Sequence, residues 1–309
     1  MMRILTGFAL CGIVAFLPLQ LSAQGKDTSI FALPIQLDEF TLSATRSGWD
    51  IEGFIRRIKE DTTFYKAFKN LRVTPHAATN DIRILNKKNQ PHASLFSRTR
   101  QEVQNGCRSM KVLEEKTTGD FYDRKKEYNY YTAELYAYLF FTPSPVCGET
   151  NVIAGTENIR GKGEMEKRKW QLKQLIFNPG SKVAGVPFAG NKAAIFEPSV
   201  AKMYDFKLML AEYEGEDCYW FIARPKPEYT NDVVYNELST WFRQSDYAIV
   251  ARDYSLSYKT WVYDFDVQMK VRLTEVNGKL LPSRISYVGN WHIATKKRER
   301  ARFNTVLEY

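Results

Sequence analysis

The strongest structural signal in this 309-residue chain is a period of two between Trp261 and Leu273. Apolar residues at every second position alternate there with polar ones, namely Asp264, Asp266, Gln268, Lys270 and Arg272. The alternation predicts an antiparallel strand with one buried face and one face in water. The Asn277-Gly278 pair follows and predicts a two-residue hairpin turn. The segment from Leu281 to Ile293 then returns as the neighbouring strand.

Other segments carry similar strand patterns, separated by turn residues. Their predicted bounds are Asp81–Leu85, Ala93–Val103, Cys107–Glu115, Asp205–Tyr213, Cys218–Arg224, Glu237–Phe242, Ala248–Tyr258 and a closing strand at Phe303–Tyr309. Hairpins of this kind bring neighbouring strands together in sequence order. The chain is therefore predicted to be rich in antiparallel sheet.

Two short amphipathic helices are predicted before the first strand. Asp50 is a candidate N-cap of the first helix, and Thr62 or Thr63 is a candidate N-cap of the second. Their apolar faces consist of Ile51, Phe54, Ile55 and Ile58 in the first, and Phe64, Ala67, Phe68 and Leu71 in the second. Such faces are expected to pack on a sheet.

Two further segments have helical spacing. Tyr128–Phe141 is interpreted as a helix with Thr132 as a candidate cap, although its tyrosine content also favours a strand. Glu164–Phe177 is charged around a narrow apolar stripe and stops at Asn178-Pro179-Gly180, so a helical insertion is expected near residues 163–178.

These elements predict an α+β fold, mainly antiparallel β. We expect an open curved sheet or half-barrel with helices packed on its concave face. The expected organisation is an extended N-terminal segment at residues 24–48 and one β-rich domain at 49–309.

The first 23 residues have the order of a secretory signal peptide. A short positive start is followed by an uncharged apolar stretch from Ile4 to Leu21, which Pro18 and Gln20 interrupt. Cleavage is predicted between Ala23 and Gln24. Because Cys11 lies inside the apolar stretch, a lipid-modified cysteine at the cleavage point is not expected. The mature protein is predicted to be soluble and to work in the periplasm or at the cell exterior.

The formal charge of +9 has consequences for partners in that compartment. An exported basic protein rarely meets nucleic acid, so anionic lipid head groups, acidic glycans or an acidic partner are the more natural targets. A basic surface that only aids solubility is the alternative. The densest basic patch consists of Lys296, Lys297, Arg298, Arg300 and Arg302. It is interpreted either as an anionic-ligand site or as a charged loop or edge strand that discourages edge pairing.

Three cysteines remain after the predicted cleavage, so at most one intramolecular disulfide forms. Cys107 and Cys147 each neighbour a glycine, which is typical of loop or strand-edge positions. We predict a disulfide between them. Cys218 is expected to be a buried free thiol.

No pattern specifies catalysis, a metal site or a cofactor. The histidines His76, His92 and His292 lack metal-ligand spacing, and no Gly-x-Ser-x-Gly elbow occurs. A thiol hydrolase built from Cys107 with His76 or His92 stays open as an alternative, and the predicted disulfide would remove its nucleophile.

The strand-turn-strand unit Thr240–Val250 and the hairpin Val271–Ile285 resemble units of the periplasmic outer-membrane lipoprotein-carrier superfamily and its sigma-regulator relatives. The resemblance implies an open half-barrel with a hydrophobic concavity that shelters acyl chains, and it implies no catalytic residues. The segment Leu37–Arg46 also resembles an acidic segment found in Gram-negative surface proteins.

The leading hypothesis is an exported, non-enzymatic envelope protein of a Gram-negative bacterium. Its expected partners are a lipid, a lipoprotein or another apolar or anionic ligand, or an envelope protein. The second hypothesis is a structural or protein-interaction module whose half-barrel is filled by its own helix, Glu164–Phe177. The third is a hydrolase with an unrecognised site.

Overall fold

A computed structural model describes residues 51–152, 178–181, 192–259, 263–293 and 297–309. These residues lie in a compact unit that spans residues 39–309. The predicted signal peptide, the cleavage site at Ala23 and Gln24, and the extended segment 24–48 lie outside the described residues. So does the predicted insertion helix from residue 163 to 177.

The described residues form one open antiparallel sheet of eleven strands. The strands are β1 His76–Leu85, β2 Pro91–Gln104, β3 Cys107–Thr118, β4 Val146–Cys147, β5 Tyr204–Tyr213, β6 Glu216–Pro225, β7 Tyr235–Arg243, β8 Ile249–Lys259, β9 Tyr263–Val276, β10 Lys279–Ile293 and β11 Glu299–Glu308. Their spatial order is β4-β3-β2-β1-β11-β10-β9-β8-β7-β6-β5. This architecture confirms the predicted α+β class with an open curved sheet.

The last strand, β11, joins two runs of hairpins. On one side it pairs with β1, from Ala77 opposite Glu308 to Leu85 opposite Arg300. On the other side it pairs with β10. The sequence predicted β11 from Phe303, whereas it begins at Glu299. The edge-strand interpretation of the basic patch is therefore wrong for Arg300 and Arg302, which lie in a strand flanked on both sides.

The Asn277-Gly278 turn between β9 and β10 is confirmed. Both residues have positive φ, 50° and 70°, which a two-residue hairpin turn of this twist requires. Glycine has no Cβ and adopts this conformation without strain, and asparagine tolerates it better than most residues. The turn therefore fixes the register of the two longest paired strands.

Helices α1 Ile51–Glu60, α2 Thr63–Arg72 and α3 Tyr131–Phe140 pack on the concave face, and a one-turn helix, α4, spans Pro198–Ala201. The predicted apolar face of α2 is confirmed, since all four of its residues are buried. Phe54 of α1 lies edge-on against Phe242, with 5.3 Å between the ring centroids. In α3, Tyr136 packs on Phe303 of β11 with a centroid distance of 4.8 Å. The helical interpretation of Tyr128–Phe141 is therefore confirmed.

Thr62 occupies the N-cap position of α2, as predicted, but its side chain does not cap the helix, and the predicted cap Thr132 of α3 is wrong. Thr62 makes no side-chain cap hydrogen bond, and the backbone N–H of Thr63 donates instead to the Asp61 carboxylate at 3.0 Å. Thr132 lies inside α3 and is buried. The first turn of α3 is capped by Glu299, whose carboxylate accepts from the N–H groups of Tyr131 at 2.8 Å and Thr132 at 2.7 Å. A carboxylate suits this position because it satisfies amides that have no partner within the helix and complements the helix dipole.

A smaller cluster lies on the opposite face of the sheet. Along β6, Cys218 and Trp220 alternate with Tyr219 and Phe221, which belong to the main core. Trp220 stacks on Trp241 with a centroid distance of 5.5 Å. Both faces of this part of the sheet are therefore covered by side chains.

Candidate functional site

A cleft of about 330 Å³ lies between α2 and the C-terminal half of α3. We call it the helix cleft. Its lining combines apolar and charged side chains: Tyr65, Phe68, Lys69, Leu71 and Arg72 from α2, Tyr138, Leu139 and Phe140 from α3, and Glu149 and Thr150 from the loop after β4. The volume lies at the lower end of the range of small-molecule sites, about 300–1,000 Å³.

One carboxylate in the helix cleft serves two guanidinium groups. Arg72 donates to Oε1 of Glu149 through Nη2 at 2.9 Å, and Arg108 donates to Oε2 through Nε. The Arg108 side chain is only 5% exposed. Arg72 also donates to the Leu139 carbonyl at 3.1 Å, which ties α2 to the last turn of α3. Two positive charges thus share one negative charge; Arg72 lines the helix cleft, whereas Arg108 lines the smaller space beneath it.

The β3–β4 pair holds this ion-pair group in place. Cys107 lies opposite Cys147 in the ladder, and their sulfur atoms form a disulfide. Arg108 follows the first cysteine, and Glu149 comes two residues after the second. The covalent link therefore keeps the carboxylate beside the buried guanidinium.

Burial and hydrogen bonding shift the pKa values of Arg108, Glu149 and the neighbouring His76. Burial lowers the pKa of Arg108, and its hydrogen bond to Glu149 opposes that change. Burial raises the pKa of Glu149, but hydrogen bonds from Arg108 and Arg72 outweigh it and lower the pKa overall. Burial also lowers the pKa of His76, which lines the space beneath the cleft. At neutral pH the group is therefore a carboxylate between two guanidiniums, beside a neutral imidazole.

The space beneath the helix cleft is too small for a ligand. It measures about 10 Å³, roughly what one water molecule needs. Gln101 lines it and donates to the carbonyls of Leu71 and Thr74, both at 2.9 Å. A ligand of the helix cleft therefore does not extend into this space.

The predicted basic patch lies at the other end of α3. Lys296 is outside the described residues. Lys297, Arg298 and Arg300 line a second cleft of about 570 Å³, whereas Arg302 does not line it. The structure therefore brings three of the five predicted residues together around a concave space.

The described residues give no support to thiol or metal chemistry. Cys107 is bonded to Cys147. Burial raises the pKa of the remaining thiol, Cys218, to about 11, so it is protonated at neutral pH. In the described part of the chain, no group of three histidine, cysteine or acidic side chains could hold a metal ion. Nor does any described helix have both the length and the apolar character needed to cross a membrane.

Sequence reasoning missed the residues that form the helix cleft. Arg72 reads as an ordinary basic residue in the last turn of a helix, and Glu149 as an ordinary loop residue. The one available signal was the predicted disulfide, which brings the neighbours of Cys107 and Cys147 together. No local pattern indicated that α3 would lie beside α2.

No family model matches the chain, and no curated protein matches it either. Among solved structures, the chain is similar to a DUF1329 family protein from Desulfovibrio piger, at 10% identity over 82% of this chain and 92% of that one, with a TM-score of 0.25. It is also similar to an outer membrane lipoprotein-sorting protein domain from Vibrio parahaemolyticus. The identity is 10% over 79% of this chain and 88% of that one, and the TM-score is 0.27. Both TM-scores are low, so the fold described above rests on the strand pairing of this chain and not on these similarities.

Proposed function

We propose that this chain is an exported envelope protein that binds an anionic amphiphile in the helix cleft. The ligand would be one acyl chain with an acidic head group. The observation that carries the proposal is the shared carboxylate of Glu149, which leaves a surplus of positive charge beside the apolar side chains of α2 and α3. A charged head group gains most from guanidinium partners that are already held in place.

The size of the helix cleft favours one chain over several. At about 330 Å³ it is small for a ligand with two or three acyl chains. Elsewhere, Phe64, Ile195, Val200 and Tyr136 belong to the same core as the strands and fill part of the concave face. A whole lipoprotein anchor is therefore a poorer candidate than a fatty acid or a lysolipid.

The test uses displacement of a fluorescent fatty acid, together with native mass spectrometry of the mildly purified protein. Thr150→Trp places an indole in the helix cleft from an exposed position, and we expect it to weaken probe binding at least about tenfold by occupying the site. Thr117→Trp is the matched control, because Thr117 is exposed on β3 and lines no described cleft. Wild-type affinity in Thr150→Trp would refute the site.

Charge is tested separately. Lys69→Gln is expected to weaken binding of a fatty acid several-fold and to leave binding of the corresponding uncharged alcohol unchanged. Equal losses for the acid and the alcohol would show that the lysine acts through packing alone.

The second candidate function is a structural or protein-interaction module with a self-filled sheet. It is favoured by the coverage of the concave face by α1, α2 and α3. The helix predicted to fill the sheet, Glu164–Phe177, lies outside the described residues. Absence of co-purified lipid and of probe binding would support this second function.

A further inference from the structure

The second cleft, of about 570 Å³, lies where β10 ends and β11 begins, beside the β1–β2 hairpin and the start of α3. We call it the basic cleft. It shares no lining residue with the helix cleft. From its chemistry we infer that it binds a saccharide whose ring carries a carboxylate or phosphate group. This inference does not depend on the proposed function.

The basic cleft contains cations without ionic partners. Arg298 is held by Asp264 and by Asn290, the latter at 3.0 Å. Lys297 and Arg300 form no ion pair with any side chain in the described part of the chain. Asp120 and Glu299 also line the cleft, and their carboxylates accept from the Tyr130 hydroxyl and from amides of α3. Lys297 and Arg300 are therefore the lining cations outside any ion pair of the described residues, and an anionic group can pair with them.

Aromatic rings in the basic cleft are fixed in orientation. The indole N–H of Trp291 donates to the Tyr287 hydroxyl, and its ring packs on Phe265 with a centroid distance of 5.0 Å. The Tyr130 hydroxyl donates to Asp120 and lies 3.2 Å from Nε2 of His92. Both rings are partly exposed. Rings that are already held lose little conformational freedom when a flat apolar surface packs on them.

These features together select a class of ligand. One face of a sugar ring consists of C–H groups and packs on aromatic side chains. Its hydroxyls can bond to exposed polar groups such as Asn129 and Asp120, and an attached acid group can pair with Lys297 and Arg300. A bare phosphate would leave the aromatic wall unused. A flat membrane surface would not enter a concave space.

The experiment measures binding of trigalacturonate, glucuronate and glucose 6-phosphate by calorimetry, with methyl-esterified trigalacturonate and glucose as neutral counterparts. We expect at least one acidic saccharide to bind, its neutral counterpart to bind about tenfold more weakly, and added salt to weaken binding. Anionic phosphatidylglycerol vesicles form a further arm. Equal binding of acidic and neutral sugars, binding of none of the three acids, or binding of vesicles alone would each overturn the inference.

Matched variants locate the site. Arg300→Gln and the exposed Lys297→Gln are each expected to weaken the acidic saccharide about fivefold. Arg302→Gln is the control, since Arg302 lies two residues further along β11 and outside the cleft. Circular dichroism verifies that each variant is folded. Unchanged affinity in both folded cleft variants would show that the acidic saccharide does not bind in the basic cleft.

Discussion

At the scale of single residues, Glu149 is the side chain whose charge has the clearest role. It accepts from two guanidiniums, and the Arg108 side chain is almost fully buried. A buried cation that loses its carboxylate becomes an uncompensated charge in a low-dielectric site. The effect of the buried Arg108 on stability therefore depends on whether the Glu149 carboxyl group is ionised.

Glu149→Gln is expected to lower the free energy of unfolding by about 2 kcal/mol at pH 7, below the value for a fully buried pair because Glu149 is partly exposed. The pKa of Glu149 is lowered in the folded state. The ionised form therefore contributes stability above the unfolded-state pKa, about 4.3, and that stability is lost as pH falls through the folded pKa. Urea unfolding at pH 7 and pH 3 measures the difference.

The control for this comparison is Glu102→Gln. Glu102 pairs with Lys111 at 2.8 Å, but the lysine side chain is 64% exposed. Such a surface pair contributes less than about 1 kcal/mol. A cost of Glu149→Gln that stays the same at pH 3 would contradict the electrostatic explanation.

At the scale of elements, local pattern predicted the helices and missed the side chains that accept from their first turns. The apolar faces and the Asn277-Gly278 turn follow from spacing and from φ, which neighbouring residues determine. The cap of α3 does not, because Glu299 lies 168 residues from Tyr131. Sequence periodicity reflects only nearby residues, which is why the sequence predicted Thr132 as the cap.

Glu299→Ala is expected to destabilise the protein by about 1–2 kcal/mol, the usual cost of a lost N-cap with a favourable charge at the helix dipole. Glu299→Gln should cost less, since its amide oxygen can still accept one hydrogen bond. Glu308→Ala, at the exposed end of the same strand, is the control. Denaturant unfolding gives all three values. Equal stabilities of Glu299→Ala and Glu308→Ala would show that α3 does not depend on this cap.

At the scale of the whole molecule, β11 joins the two runs of hairpins into one continuous sheet. Strands β1 to β4 connect to the rest of the described sheet through the β1–β11 ladder. Local pattern predicted most hairpins with only small errors at their ends. It could not predict that β11 pairs with β1, because those partners lie more than 200 residues apart. The same limit hid both clefts, whose walls come from distant segments.

Phe303→Ala tests whether the whole sheet unfolds as one cooperative unit. Phe303 lies on β11 and stacks on Tyr287 of β10 with a centroid distance of 4.7 Å. Because it also contacts Tyr136 of α3, the truncation should cost about 3–5 kcal/mol. If β11 makes the sheet cooperative, hydrogen exchange will show β2 and β8 amides losing protection by the same amount. Phe206→Ala, on the edge strand β5, should cost less and act mainly on nearby amides. Loss of protection in β8 while β2 stays protected would mean that the two runs of hairpins fold independently.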